Sequence, residues 1–464
     1  MDDSAAKLLR ALPAVGDFLG SEHGQALIEE FGEGVVKWQL RAALEELRTD
    51  IRDGKITAPV GLSELAGRLR VPLLRLSDPA ARRAINATGI LLHTGLGRAP
   101  LCPAAIAAIS VAGGYTPLQA SLESGDRSLR EERVQAMLQA LAGCEAATVV
   151  NNNAAATMLI LNALSAGKET IISRGQLIEI GGSFRMTDVM AQSGAVLREV
   201  GTTNRTHLRD YEAAITEQTA AIVHVHTSNY RIRGFASTPS IAELVALGRK
   251  HKLPVIDDLG SGAIVPLHEW GISDEPLVKD SLAAGADVVC FSGDKLICGP
   301  QAGIICGRKS HIERIRKNPY ARMFRVCKLT LAGLEATLGE FINGTFRENI
   351  PFYKMMARNV SELERDARDL ASALDGIPGL SVAVGEDLSY VGSGSIPDEG
   401  LPTRVVRIRS VEISAGELAR RLRMGIPSVF GRLADGELVM DVRTLRDGET
   451  AEVAGAVRRA VAGR

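Results

Sequence analysis

The chain has 464 residues, a formal net charge of −1, and 45% hydrophobic but only 4% aromatic residues. This length exceeds one small core and predicts two or three domains, and the near-zero charge announces no nucleic-acid partner, although a local basic face could still serve one. Cys102, Cys144, Cys290, Cys298, Cys306 and Cys327 form no CxxC pair and no zinc-spaced Cys/His cluster, so they read as reduced packing thiols and no metal is expected.

The N-terminus, MDDSAAKLLRALPAVGDFLG, starts acidic and lacks the basic-then-apolar order of a secretory signal. No apolar run reaches bilayer-spanning length, and a soluble cytoplasmic protein is the expectation. Up to residue 84 the chain reads as helical. In VVKWQLRAALEELRTDIRDG the residues Val36, Leu40, Leu44, Leu47 and Ile51 recur at helical spacing until Asp53-Gly54, and a further helix is expected to start at a cap at Ser63. Charge there is balanced, so packing or oligomerisation stands level with nucleic-acid binding.

From Ile85 strands and helices alternate. Short apolar strands are predicted at EAATVV, ETIISR, AVLREVG, AAIVHVH, PVIDDLG, DVVCFSG and AGIICG, with helices between them such as SIAELVALGRKHK. That alternation predicts an α/β fold with a doubly wound, mostly parallel sheet over residues 85–330. Helices at LAGLEATLGEFINGTF and YKMMARNVSELERDARDLASALDGI, followed by strands in LSVAVG, TRVVRIRS and ELVMDVRT, predict a smaller α+β domain over residues 331–464.

Open α/β sheets bind ligands at the carboxyl ends of their strands. FSGDKLICGPQAGII places Lys295 at such an end, where desolvation disfavours its charge. Either the lysine snorkels to solvent, or its lowered pKa suits a Schiff base. PVIDDLGSG decides for the second, because a pyridoxal phosphate enzyme needs both a lysine amine and a carboxylate for the ring nitrogen. Asp258 is the candidate carboxylate, and Asp257 faces away because side chains alternate along a strand. Asn152 and Asn153, opening the helix after VVNNN, offer N–H groups to a phosphate, although Asn also caps helices for structural reasons alone. In VHVHTSNYRIRGF, Ser228 and Asn229 reach the same edge, and His226 is either a cofactor contact or a core histidine. Arg98 lies in a glycine-rich loop. Arg322 and Arg325, at i, i+3, can share a helical face and grip an oxyanion, or form a solvated basic helix end.

Taken in order, NATGILLHTGLGRAPL, VVNNNAAATMLIL, SRGQLIEIGGSFRMTDVM, VGTTNRTHLRDY, VHTSNYRIRGF, DLGSG, FSGDKLICGPQAGII and NPYARMFRVCKLTL resemble the bacterial selenocysteine synthases, the L-seryl-tRNA(Sec) selenium transferases. The resemblance runs over nearly the whole chain. It implies a fold-type-I pyridoxal 5'-phosphate enzyme with Lys295 as the Schiff-base lysine and Asp294 as a catalytic acid. Arg98, Arg322 and Arg325 match positions at the selenium-donor phosphate site. The implied reaction converts L-seryl-tRNA(Sec) to L-selenocysteinyl-tRNA(Sec) through a dehydroalanyl intermediate, with selenophosphate as donor. It also implies a tRNA-gripping N-terminal domain and a homodecamer built from dimers.

Departures from the family pattern cluster near the site. LQASLESGDRSLR has Ala120, Ser121 and Ser128 where Tyr, Asp and Gly are usual; Gly95 stands for Asn, Cys298 for Gly, and Cys327 for an acid. Arg127 and Arg130 keep their places. Two alternatives follow: a pyridoxal phosphate lyase for a small phosphorylated amino acid or amino sugar, and a tRNA-binding protein without catalysis. The N-terminal helices discriminate against the first, and retention of Asp258, Lys295 and the three arginines against the second.

Overall fold

The computed structural model describes residues 3–77, 82–180, 184–232, 234–272, 275–393 and 395–463. The chain divides into two compact units, one ending at Arg83 and one running from Ala84. The first is helical. Its helices Glu22–Phe31, Glu33–Arg52 and Leu62–Ser77 enclose Phe18, Val36, Leu40, Leu44, Leu65 and Leu69. The five residues spaced helically from Val36 to Ile51 are all buried, as an amphipathic face requires. The last helix begins at Leu62, so Ser63 lies in its first turn rather than at a cap.

In the second unit all seven predicted strands form one sheet. They are β1 (Ala146–Val150), β2 (Glu169–Ser173), β3 (Val196–Val200), β4 (Thr219–Val225), β5 (Val255–Gly260), β6 (Val288–Ser292) and β7 (Gly303–Gly307). Their spatial order is β1-β7-β6-β5-β4-β2-β3, parallel except for β7, which runs antiparallel to both neighbours. Strands β1, β6 and β7 are buried along their whole length, which explains their near-continuous apolar sequences. Alternation then assigns faces. Val289, Phe291 and Ile304 point into one core, whereas Val288, Cys290 and Ile256 point into the other beneath helix Asn153–Ser165.

A second sheet of β8 (Leu380–Gly392), β9 (Ser395–Ser410), β10 (Arg432–Ala434) and β11 (Glu437–Asp441) is antiparallel, in the order β8-β9-β11-β10. It packs with helices Val360–Leu374, Ala415–Met424 and Glu449–Val461 around Leu363, Val406, Leu418 and Val457. The passage between cores falls later than residue 330. Leu331, Leu334 and Leu338 of helix Lys328–Ile342, and residues as far as Met356, share the core of Val289 and Phe291. Amphipathic spacing shows that a helix has a buried face, not which core receives it. A short strand, Ala84–Asn86, pairs in parallel with Ser428–Phe430, tying the start of this unit to its end. Among the described residues no helix is long and apolar enough to cross a membrane, and no His/Cys/Asp/Glu group could hold a metal ion.

Candidate active site

The carboxyl ends of β4, β5 and β6 and the start of helix Asn153–Ser165 enclose a cavity of about 640 Å³. Arg98, Asn152, Asn153, Ser228, Asn229, Asp258, Asp294 and Lys295 all line it, so eight residues from five segments meet there. The alternation along β5 puts Asp258 on the face of helix Asn153–Ser165 and Asp257 on the other, where it bonds His224 Nδ1 at 2.7 Å.

Asp258 is 2% exposed. Its Oδ1 accepts from Asn153 Nδ2 at 2.8 Å and Gly260 N at 3.1 Å, and its Oδ2 from Thr157 Oγ1 at 2.9 Å. Asn153 and Thr157 stand one turn apart on the helix, so one face of it presents both donors. All three donors are neutral. Burial therefore pushes the carboxyl above its usual range, against these hydrogen bonds.

Lys295 is buried, and its ammonium is disfavoured first by burial and then by the Arg98 charge. Arg98 adopts φ 66° after Gly97 at φ 90°, a left-handed turn closed by Arg98 N donating to His93 O at 3.0 Å. That turn aims the guanidinium at Asp294 Oδ2, 2.7 Å away. Cys298 also has a positive φ, 62°, and is fully buried with Sγ 3.2 Å from the Lys295 carbonyl. The turn after Lys295 thus has the backbone shape that favours glycine, and the cysteine adopts it with its thiol tied back to the turn.

Asn152 caps its helix, accepting from Ala155 N at 2.9 Å, and Asn153 and Ala154 of the first turn line the cavity. A Cβ at Gly303 would collide with the Asn152 carbonyl, so that glycine lets β7 seat the loop. Asn229 Nδ2 donates to Glu179 O at 3.0 Å, and Ser228 N to His226 O at 2.9 Å. Asn153 Oδ1, Asn229 Oδ1 and Asp294 Oδ1 are buried without a hydrogen-bond partner among the described residues.

Arg322 and Arg325 do not line this cavity, and they do not share a helix. Helix Pro319–Met323 ends before Arg325, which forms an isolated bridge with Val150 while Asn151 N donates to Phe324 O at 2.9 Å. Pairing with the end of β1 replaces the helical turn that spacing alone suggested. Both arginines instead approach Arg130, whose guanidinium is disfavoured by burial, then by Arg325, with a smaller contribution from Arg322. Spacing also missed Thr157 and Glu275. The first was detectable as the residue one turn beyond Asn153. Glu275 left no local signal: its buried carboxylate accepts from Ser261 Oγ and lies 3.8 Å from His226 Nε2. His226 is thus a cavity-lining residue beside a buried acid. Ile178, Ile180 and Met186 form the apolar wall; Gly181, Gly182 and Ser183 lie outside the described residues.

A lysine after a central strand, a buried carboxylate on the neighbouring strand and a capped helix start define a pyridoxal-phosphate-dependent enzyme of fold type I. The fold is shared with a solved D-glucosaminate-6-phosphate ammonia-lyase, which superposes with a TM-score of 0.59 at 20% identity, over 84% of this chain and 98% of that one. The family model described as L-seryl-tRNA selenium transferase matches residues 84–446, and the one described as selenocysteine synthase N terminal matches residues 9–48. Two relatives named L-seryl-tRNA(Sec) selenium transferase are similar from end to end. That of Nitratidesulfovibrio vulgaris is 45% identical over 98% of this chain and 99% of its own, and that of Aquifex aeolicus 43% identical over 94% and 95%. This chain belongs to the L-seryl-tRNA selenium transferase family.

Proposed function

We propose that the chain converts L-seryl-tRNA(Sec) to L-selenocysteinyl-tRNA(Sec), with pyridoxal 5'-phosphate as cofactor and selenophosphate as selenium donor. The carrying observation is that Lys295, Asp258 and the Arg98–Asp294 pair share one cavity in a chain of this family. The residues fit the cofactor. Lys295 would hold its aldehyde carbon, the Asn152–Asn153 helix start its phosphate, and Ser228 and Asn229 its remaining edge. Asp258 has only neutral donors around a buried carboxylate, and a protonated ring nitrogen supplies the positive charge it lacks. Bound there, the cofactor withdraws electrons from the substrate's Cα.

The chain's own residues do the proton work. Burial and Arg98 favour a neutral Lys295 amine, which takes the Cα proton at Nζ. Hydroxide leaves poorly and needs a proton; the one Lys295 took from Cα reaches it directly or through Asp294, whose carboxyl Arg98 holds in orientation. We assign the donor phosphate to Arg98 of this cavity together with Arg322 and Arg325, which stand outside its lining beside Arg130, since guanidinium forks suit phosphate oxygens. An N-terminal helical domain over residues 1–84 that grips tRNA is supported by the match of residues 9–48 to the N-terminal family model. A cytoplasmic homodecamer of dimers is the assembly the family likeness supports. The lyase alternative shares a fold at 20% identity and gives the N-terminal helices no task.

The test presents holoenzyme with seryl-tRNA(Sec), free serine and selenophosphate separately and follows water loss and selenium incorporation. Turnover of free serine with indifference to the tRNA sinks the proposal.

A further inference from the structure

A second cavity, of about 320 Å³, adjoins the first and shares Val225 and His226 with it. Its walls come from the ends of β2 and β4, the loop carrying Thr203, Asn204 and Arg205, and the segment from Tyr230 to Thr238. Among the described residues the polar lining is hydroxyl, amide and imidazole, with Arg205 as its cation and no carboxylate, and Val225, Ile232 and Ala236 supply apolar wall. His224 lines it with Nδ1 held by the buried Asp257, which leaves Nε2 as the ring's remaining polar atom. Phe235, next in sequence to the lining residue Ala236, is 83% exposed, yet its carbonyl is held by two lining residues. The Phe235 carbonyl accepts from Asn204 Nδ2 at 2.7 Å and Arg205 Nε at 3.1 Å, Ser237 N donates to Asn204 O at 2.9 Å, and Thr206 N donates to Ser237 O at 2.9 Å. The Arg205 guanidinium lies 5.6 Å from the Phe235 ring centroid.

A large aromatic kept exposed on an immobilised loop, with a guanidinium beside it, has the make-up of a base-stacking platform. The hydroxyls and imidazole of the cavity lining suit ribose hydroxyls. Resting on the function proposed above, the substrate has such a group in the required place: its serine is esterified to the terminal ribose of the tRNA. Whatever holds the serine at Lys295 must have a nucleoside one ester linkage away. We propose that this second cavity binds the 3'-terminal adenosine of the aminoacyl-tRNA, with the purine stacked on Phe235 and Arg205 and the ribose facing His224. Phe235 is then a specificity-determining residue for the nucleoside.

The experiment uses holoenzyme and tRNA(Sec) carrying 2-aminopurine at its 3' end. Wild-type protein should quench the probe on binding. Phe235→Ala should abolish the quench and raise the KM for seryl-tRNA(Sec) roughly tenfold, with kcat little changed, as loss of one base-stacking aromatic implies. Phe235→Trp should restore both. The cofactor's absorbance, unchanged in all three, reports an intact fold. Full quenching and an unchanged KM in Phe235→Ala overturn the proposal, and so does a change in oligomeric state with quenching intact, which would assign Phe235 to a contact between copies. Wild-type protein that turns over no seryl-tRNA(Sec) at all defeats the function itself, a failure separate from that of the variant.

Discussion

The Arg98 guanidinium donates to Asp294 Oδ2 at 2.7 Å, while Asp294 Oδ1 is buried without a partner among the described residues. One oxygen is fixed and the other is unpaired, in a residue that lines the cavity holding Lys295. Asp294→Asn keeps the shape but cannot supply the proton, so kcat should fall about 10²-fold or more while the bound cofactor's absorbance persists. Steady-state kinetics and a spectrum of the same preparation check it. Unchanged kcat would remove Asp294 from the chemistry.

Lys295→Met should abolish both the covalent cofactor signal and activity. It also carries a linkage consequence. A lysine whose folded pKa is lowered binds fewer protons folded than unfolded between that pKa and its ordinary 10.5, so stability rises with pH through that window and is penalised below it. Cofactor-free Lys295→Met should therefore exceed cofactor-free wild type in urea midpoint at pH 7, and the gap should close as pH approaches 10.

Asp258 has the opposite shift. Its folded carboxyl is raised by burial, so cofactor-free protein loses stability as pH rises from the ordinary 3.8 through the raised pKa. Asp258→Asn should raise the Tm of the cofactor-free protein at pH 7 while reducing the Tm gain on adding pyridoxal phosphate. A variant stabilised by the cofactor as strongly as wild type would show that the ring nitrogen does not need this carboxylate.

At Cys298 the left-handed backbone costs a non-glycine residue about 1 kcal/mol. Cys298→Gly relieves that strain and forfeits a buried thiol of similar value, so denaturant midpoints should move by no more than ~1 kcal/mol and activity should persist. Cys298→Val, β-branched at the same φ in a filled site, should lose ~2 kcal/mol or more.

Among the six thiols only Cys327 is exposed, and the backbone N–H of Thr330 at a helix start lowers its pKa below the ordinary value. Cys290, Cys298 and Cys306 are pushed well above theirs, chiefly by burial for the first two and by the Cys144 thiol for Cys306. Iodoacetamide at pH 7.5 should label one thiol per chain quickly, and peptide mapping should place it at Cys327.

Local sequence was sufficient for the strands, the helical N-terminal region and the positions of Lys295 and Asp258 at strand ends. Those features follow from a period of two, from runs buried on both faces, and from the rule that sheets bind ligands at carboxyl edges. Even the opposite orientation of Asp257 and Asp258 follows from alternation. Strand order belongs to the tertiary structure, and it alone brings Arg98 to Asp294 and Asn153 to Asp258 across more than a hundred residues. It also decided that Arg325 pairs with Val150 instead of continuing a helix, and that helix Lys328–Ile342 joins the core of Val289 and Phe291. Periodicity encodes which face of an element is buried; its partner is chosen by long-range packing, and backbone strain such as that at Cys298 appears only once the turn is built.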